Sequence, residues 1–83
     1  MQTNLFVRNI SYKAQSEDLQ ALFEQVGTVA SAKVIFDRET GKSRGFGFVE
    51  MATAEEAERA ITELDGAELL DRPIAVQPAK PRE

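Results

Sequence analysis

The chain of 83 residues contains no cysteine and no histidine. Those two absences exclude disulfides, thiol chemistry, His/Cys zinc sites and the usual imidazole general base. No apolar run approaches the ~20 residues that a membrane span requires. The opening Met1-Gln2-Thr3-Asn4 lacks the basic segment and apolar stretch of a secretory signal. The expectation is a soluble protein of a reducing interior, cytoplasmic, with the nucleus as the alternative in a eukaryotic source. Glycine and proline are scarce, at five and three positions, which argues against low complexity and disorder. Positive charge is in deficit as well. Ten Lys and Arg stand against 14 Asp and Glu, a net charge of −4, which at face value disfavours a polyanionic partner.

What is present reads as an ordinary small globular domain: 42% hydrophobic and 29% charged residues. At this length roughly 60% of the unfolded surface is buried, so stability is expected to be modest. One domain over 1–83 is expected, with 78–83 a short C-terminal tail extended by Pro78 and Pro81.

Periodicity supplies the elements. Residues 4–9 alternate, with Leu5 and Val7 on one face and Phe6 and Arg8 on the other, which predicts a strand. Ser16 is expected to cap a helix carrying Glu17 and Asp18 in its first turn and an apolar stripe of Leu19, Leu22, Phe23 and Val26, closed by Gly27. Strand alternation returns from Val29 to Phe36, then a polar turn-forming segment runs from Asp37 to Ser43. The next strand, Arg44 to Met51, places Gly45, Gly47, Val49 and Met51 on one face and Arg44, Phe46, Phe48 and Glu50 on the other. Glycine weakens a strand interior, so this pair predicts close approach by another backbone or element. Thr53 and Glu56 form a capping box before a helix whose stripe is Ala57, Ala60, Ile61 and Leu64. A last strand, Pro73 to Gln77, turns Ile74 and Val76 inward.

The order β-α-β-β-α-β is the split βαβ arrangement: an α+β, ferredoxin-like fold with a four-stranded antiparallel sheet and both helices on one face. Right-handed crossovers put the first and third strands in the middle. The helices then cover Leu5, Val7, Val34, Val49, Ile74 and Val76, and the opposite sheet face is left bare. Phe6, Phe46 and Phe48 lie on that bare face, where three phenylalanines are wasteful unless something binds.

These residues carry a resemblance to a known family. Leu5-Phe6-Val7-Arg8-Asn9-Ile10 resembles the shorter signature of the RNA-recognition motif (RRM) domains. Arg44-Gly45-Phe46-Gly47-Phe48-Val49-Glu50-Met51 resembles the longer one, conforming at seven of eight positions; Met51 replaces an aromatic at what alternation makes a core position. The similarity runs from Asn4 to Arg82 and is nearest to short single-RRM bacterial proteins and plant glycine-rich RNA-binding proteins. It implies a post-transcriptional role and binding of single-stranded RNA, or of single-stranded DNA in vitro, across the open sheet. It further implies bases stacked on Phe6 and Phe48, Phe46 against a sugar or neighbouring base, and Arg44 on a phosphate.

Stacking physics is consistent with that reading, because an aromatic ring is a sequence-tolerant platform and flanking cations hold the backbone. Arg8, Lys33, Gln77, Lys80 and Arg82 are the other polar groups expected on or beside the face. Asn9, Gln77 and main-chain groups after Val76 are candidates for reading base edges. Tyr12 leaves two readings open, a loop contact to RNA or a packing residue. Phe36 is ambiguous too: alternation sends it inward, while its place at a strand end allows it to turn out.

Other functions find less support. Gly41-Lys42-Ser43 ends like a phosphate-binding loop, but Phe36 stands where that loop requires glycine. Glu55, Glu56, Glu58 and Glu63 read as a solvated helix face, with neither a cleft for acid/base catalysis nor cation-loop spacing. No enzyme activity, metal, cofactor, small-molecule substrate or membrane partner is expected, and the chain is expected to be monomeric. The alternative is a protein-interaction module using the same sheet. Charge, finally, is unevenly distributed: residues 16–25 carry −3 and residues 54–65 carry −4, which leaves +3 for the rest of the chain. The deficit belongs to the helices behind the sheet.

Overall fold

The computed structural model describes residues 3–79. Strand β1 (Asn4–Arg8) leads into helix α1 (Ser16–Glu24), followed by β2 (Val29–Phe36), β3 (Ser43–Met51) and helix α2 (Ala54–Leu64). A two-stranded hairpin, β4 (Glu68–Leu69) with β5 (Arg72–Pro73), precedes the last strand, β6 (Ala75–Pro78). The main sheet is antiparallel in the order β2-β3-β1-β6. This is the expected ferredoxin-like βαββαβ fold, with β1 and β3 central.

Alternation does the sorting. Leu5 and Val7 of β1, Val34 of β2, Val49 and Met51 of β3 and Val76 of β6 are buried, and they meet Leu19 and Phe23 of α1 and Ala57, Ala60 and Leu64 of α2 in one core. Met51 is a core residue as expected, at 1% exposure. Ala57 and Ala60 let α2 settle close to the sheet, since neither carries a side chain beyond Cβ.

Gly47 shows why β3 carries glycine. A Cβ there would collide with the Lys33 carbonyl oxygen and sit 3.1 Å from the Val34 Cα. Both are backbone atoms of β2 and neither can swing aside. Gly45 has a different reason: its φ is +83°, in the left-handed region that side-chain-bearing residues seldom adopt.

Several local expectations change. The N-cap of α1 is Gln15, whose backbone N–H donates to the Asp18 carboxylate at 2.8 Å. Ser16 instead accepts from the Val34 N–H at 3.0 Å and ties α1 to β2. Gly27 is not a left-handed cap, because the C-cap is Gln25; a Cβ at Gly27 would strike the Glu56 side chain. Glu56 is therefore more than a solvated acid. Thr53 Oγ1 caps the Glu56 N–H at 3.2 Å, and the Glu56 carboxylate reaches back to the Thr28 N–H at 2.6 Å. The last strand extends through Pro78, which pairs with Leu5, so Pro78 belongs to the sheet and not to a tail. Lys80, Pro81, Arg82 and Glu83 lie outside the described residues.

Candidate nucleic-acid interface

Antiparallel register turns sequence neighbours into rows across the sheet, because directly opposed residues on one face bring their side chains together. One row reads Lys33, Phe48, Phe6, Gln77, running from β2 through β3 and β1 to β6. The next reads Phe46, Arg8, Ala75. The three rings touch one another. Phe6 and Phe48 have centroids 5.3 Å apart and planes inclined by 36°; Phe6 and Phe46 are at 5.7 Å, and Phe46 and Phe48 at 6.4 Å edge-on. Such spacings fall within the favourable range for aromatic pairs, so the rings hold each other in place while presenting area to solvent. Phe48 is 44% exposed; Phe6 and Phe46 are half-buried. A shallow groove adjoins them, lined by Phe6, Phe48, Gln77, Pro78 and Ala79.

Cations surround this cluster. Arg8, Lys33 and Arg44 are exposed. Among the described residues the one ion pair is Arg59–Glu63, on the outside of α2, so the sheet-face cations retain their full capacity for an anion. Glu50 continues the face beyond Phe48, opposite Asn4 and Ser31. The face is thus polarised, with Arg8 and Arg44 at the Phe46 end and an acid at the other.

The loop beside Arg44 is internally bonded. Asp37 accepts from the backbone N–H groups of Glu39 at 2.7 Å and Thr40 at 3.2 Å, and the Gly41 N–H donates to the Asp37 carbonyl at 2.9 Å. Those two amide donors, with a smaller contribution from the Arg44 charge, hold the Asp37 carboxyl below its ordinary value. The loop is a built turn.

The expected site residues separate into groups. Phe6, Phe46, Phe48, Arg8, Lys33 and Gln77 come together on or beside one face, with Arg44 exposed at the start of β3. Lys80 and Arg82 fall outside the described residues. Asn9 takes up a structural task instead: with φ at 60°, its amide donates to the Pro73 carbonyl at 2.6 Å and accepts from Arg72 at 2.9 Å. That grip fixes the end of β1 to the β4–β5 hairpin and leaves the amide engaged. Pro78 and Ala79 were not anticipated as groove walls. Their position follows from the Ala79 N–H donating to the Asn4 carbonyl at 3.0 Å, a contact between chain ends that no local pattern encodes.

Relatives share both the sequence and this fold. The chain is 49% identical to RbpD, a protein of Nostoc sp. named for RNA binding, over 95% of this chain and 84% of that one. It is 47% identical to the chloroplastic 28 kDa ribonucleoprotein of Spinacia oleracea, but covers 98% of itself and only 35% of that relative, so it spans about a third of the larger protein. Among solved structures, the Sex-lethal protein/RNA complex superposes with a TM-score of 0.92 at 29% identity, covering 100% of this chain and 50% of that one. The model of one family, described as the RNA recognition motif, matches residues 5–75, from the buried Leu5 of β1 to Ala75 beside Arg8. Both signature strands and the whole intervening fold lie within that match, and the chain belongs to the RNA recognition motif family.

Proposed function

We propose that the chain binds single-stranded RNA across the open face of its sheet and acts post-transcriptionally. The observation that carries this reading is the contiguous triad Phe6, Phe46 and Phe48, flanked by cations with no acidic partner among the described residues. Two bases stack on Phe6 and Phe48, the opposed pair at the centre of the sheet. Phe46 packs against a sugar or a third base. Arg8, Lys33 and Arg44 hold phosphates. Gln77, exposed at the groove, and main-chain groups that follow Val76 read base edges, which an RRM sheet leaves accessible in unpaired strands. The names of the Nostoc and spinach relatives and the RNA in the Sex-lethal complex agree with this reading.

Stacking contributes ~1–3 kcal/mol per base. Replacing Phe6 and Phe48 together by alanine is expected to weaken binding of short single-stranded RNA by roughly 2–6 kcal/mol if the two terms add. Fluorescence anisotropy with labelled oligonucleotides measures this, with thermal unfolding as a check on folding. Undiminished affinity in a folded double variant contradicts the proposal and leaves the sheet to a protein partner.

A further inference from the structure

Tyr12 and Phe36 are unused by the sheet-face site, yet both are exposed, at 67% and 39%. They line a second depression with Gln15, Gly41, Lys42 and Ser43, at the Phe46 end of the sheet. The Tyr12 ring comes to 3.5 Å of the Cβ position at Gly45, the residue next to Phe46. Phe36 lies opposite Ser43, after an irregularity in the β2–β3 register between Val34 and Phe36. That slip reverses the expected alternation and turns the ring out.

The depression is built beforehand. Arg72 lies over the Tyr12 ring, its guanidinium carbon 5.9 Å from the centroid, and is itself held by Asn9. On the other side the Asp37 turn fixes Lys42, whose carbonyl accepts from the Asp37 N–H at 2.7 Å. Both aromatics are thereby positioned by contacts that do not involve a ligand.

We infer that this depression is a second base-binding subsite, which takes an unpaired nucleobase of the same RNA strand whose other bases lie on Phe6 and Phe48. The inference rests on the RNA reading of the sheet and extends it. Continuity and charge identify the occupant. From Phe46 to Ser43 is three strand residues, or roughly 10 Å, about three rises of a stacked strand. Along that path the face offers Arg8, Arg44 and then Lys42 to phosphates, whereas the opposite direction leads to Glu50. A polyanion leaving the phenylalanine triad is guided toward Tyr12 and Phe36. There it meets two aromatic faces, with Gln15 as the polar group for a base edge.

The test compares a pentanucleotide, enough for the sheet, with an octanucleotide by fluorescence anisotropy. Tyr12→Ala combined with Phe36→Ala is expected to weaken octamer binding at least about fivefold and to leave pentamer binding unchanged. Tyr12→Phe, which keeps the ring, retains octamer affinity. Phe48→Ala weakens both oligonucleotides. Equal losses for both lengths in the Tyr12/Phe36 variant, or none for the octamer, overturn the subsite while Phe48→Ala still reports on the sheet. Loss of self-association by sedimentation in that variant, with octamer affinity intact, would assign the depression to a second copy of the chain and overturn it as well. A wild-type protein that binds neither oligonucleotide overturns the sheet reading and the subsite together.

Discussion

At the scale of single residues, Gly47 and Asn9 show two ways in which a signature position can be spoken for by the fold. Gly47 faces the β2 backbone, and no rotamer change relieves a Cβ placed against a carbonyl oxygen and a neighbouring Cα. Gly47→Ala is therefore expected to cost about 1–3 kcal/mol, in the range of overpacking, and more if β2 separates from β3. A urea titration measures it, and a value within ~0.5 kcal/mol of wild type, typical of a neutral surface change, contradicts the account. Asn9 belongs to a residue-scale network as well. Its left-handed backbone aims the side chain at Pro73 and Arg72, so its amide supports the geometry of the loop that carries Tyr12.

At the scale of elements, the Asp37–Lys42 turn links β2 to β3 and sets the edge of the proposed interface. Its carboxylate is held by two backbone amides, which favours the charged form and lowers the pKa. The sign of the linkage follows. A depressed folded-state pKa contributes order that is present above the unfolded value and is lost as pH falls through the folded one. The Glu39 and Thr40 amide resonances are therefore expected to shift in a transition more acidic than that of an ordinary aspartate. A transition at the ordinary aspartate position would show that these hydrogen bonds do not persist in solution. The helix α2 terminus makes the same point differently: Glu56 secures both its own helix start and the Thr28 N–H before β2. One acid on an otherwise solvated face is thus part of the scaffold.

At the scale of the whole molecule, the net charge of −4 averages two faces that do not meet the same ligand. The acids concentrate on α1 and α2, behind the sheet, while Arg8, Lys33 and Arg44 surround the aromatics in front. Screening over ~8 Å at physiological salt lets the two faces act separately at short range. Three phosphate contacts on a single strand correspond to a log-log salt slope of only about −2. A shallow slope of that size is expected from affinities measured between low and physiological salt. A slope steeper than about −4 would require more cations than the described face presents and would displace stacking as the main source of affinity.

Local pattern was enough to recover the order of elements, the core stripes and the phenylalanine triad, because strand alternation and helical periodicity act over a few residues and decide which side faces apolar neighbours. It also exposed Gly45 and Gly47 as anomalies in a strand. What only the tertiary structure decided depends on residues far apart in the chain: Ser16 accepting from Val34, Gly27 yielding space to Glu56, Asn9 gripping the β4–β5 hairpin, and Pro78 completing β6 beside Leu5. Phe36 is the clearest case. Alternation alone left its direction open, and the irregular register with β3 turned it outward beside Tyr12. Such contacts arise from how backbones meet after collapse, so no window of sequence contains them. The scarcity of basic residues, which composition alone counted against a polyanionic partner, became a matter of placement once the sheet set its cations in front and its acids behind.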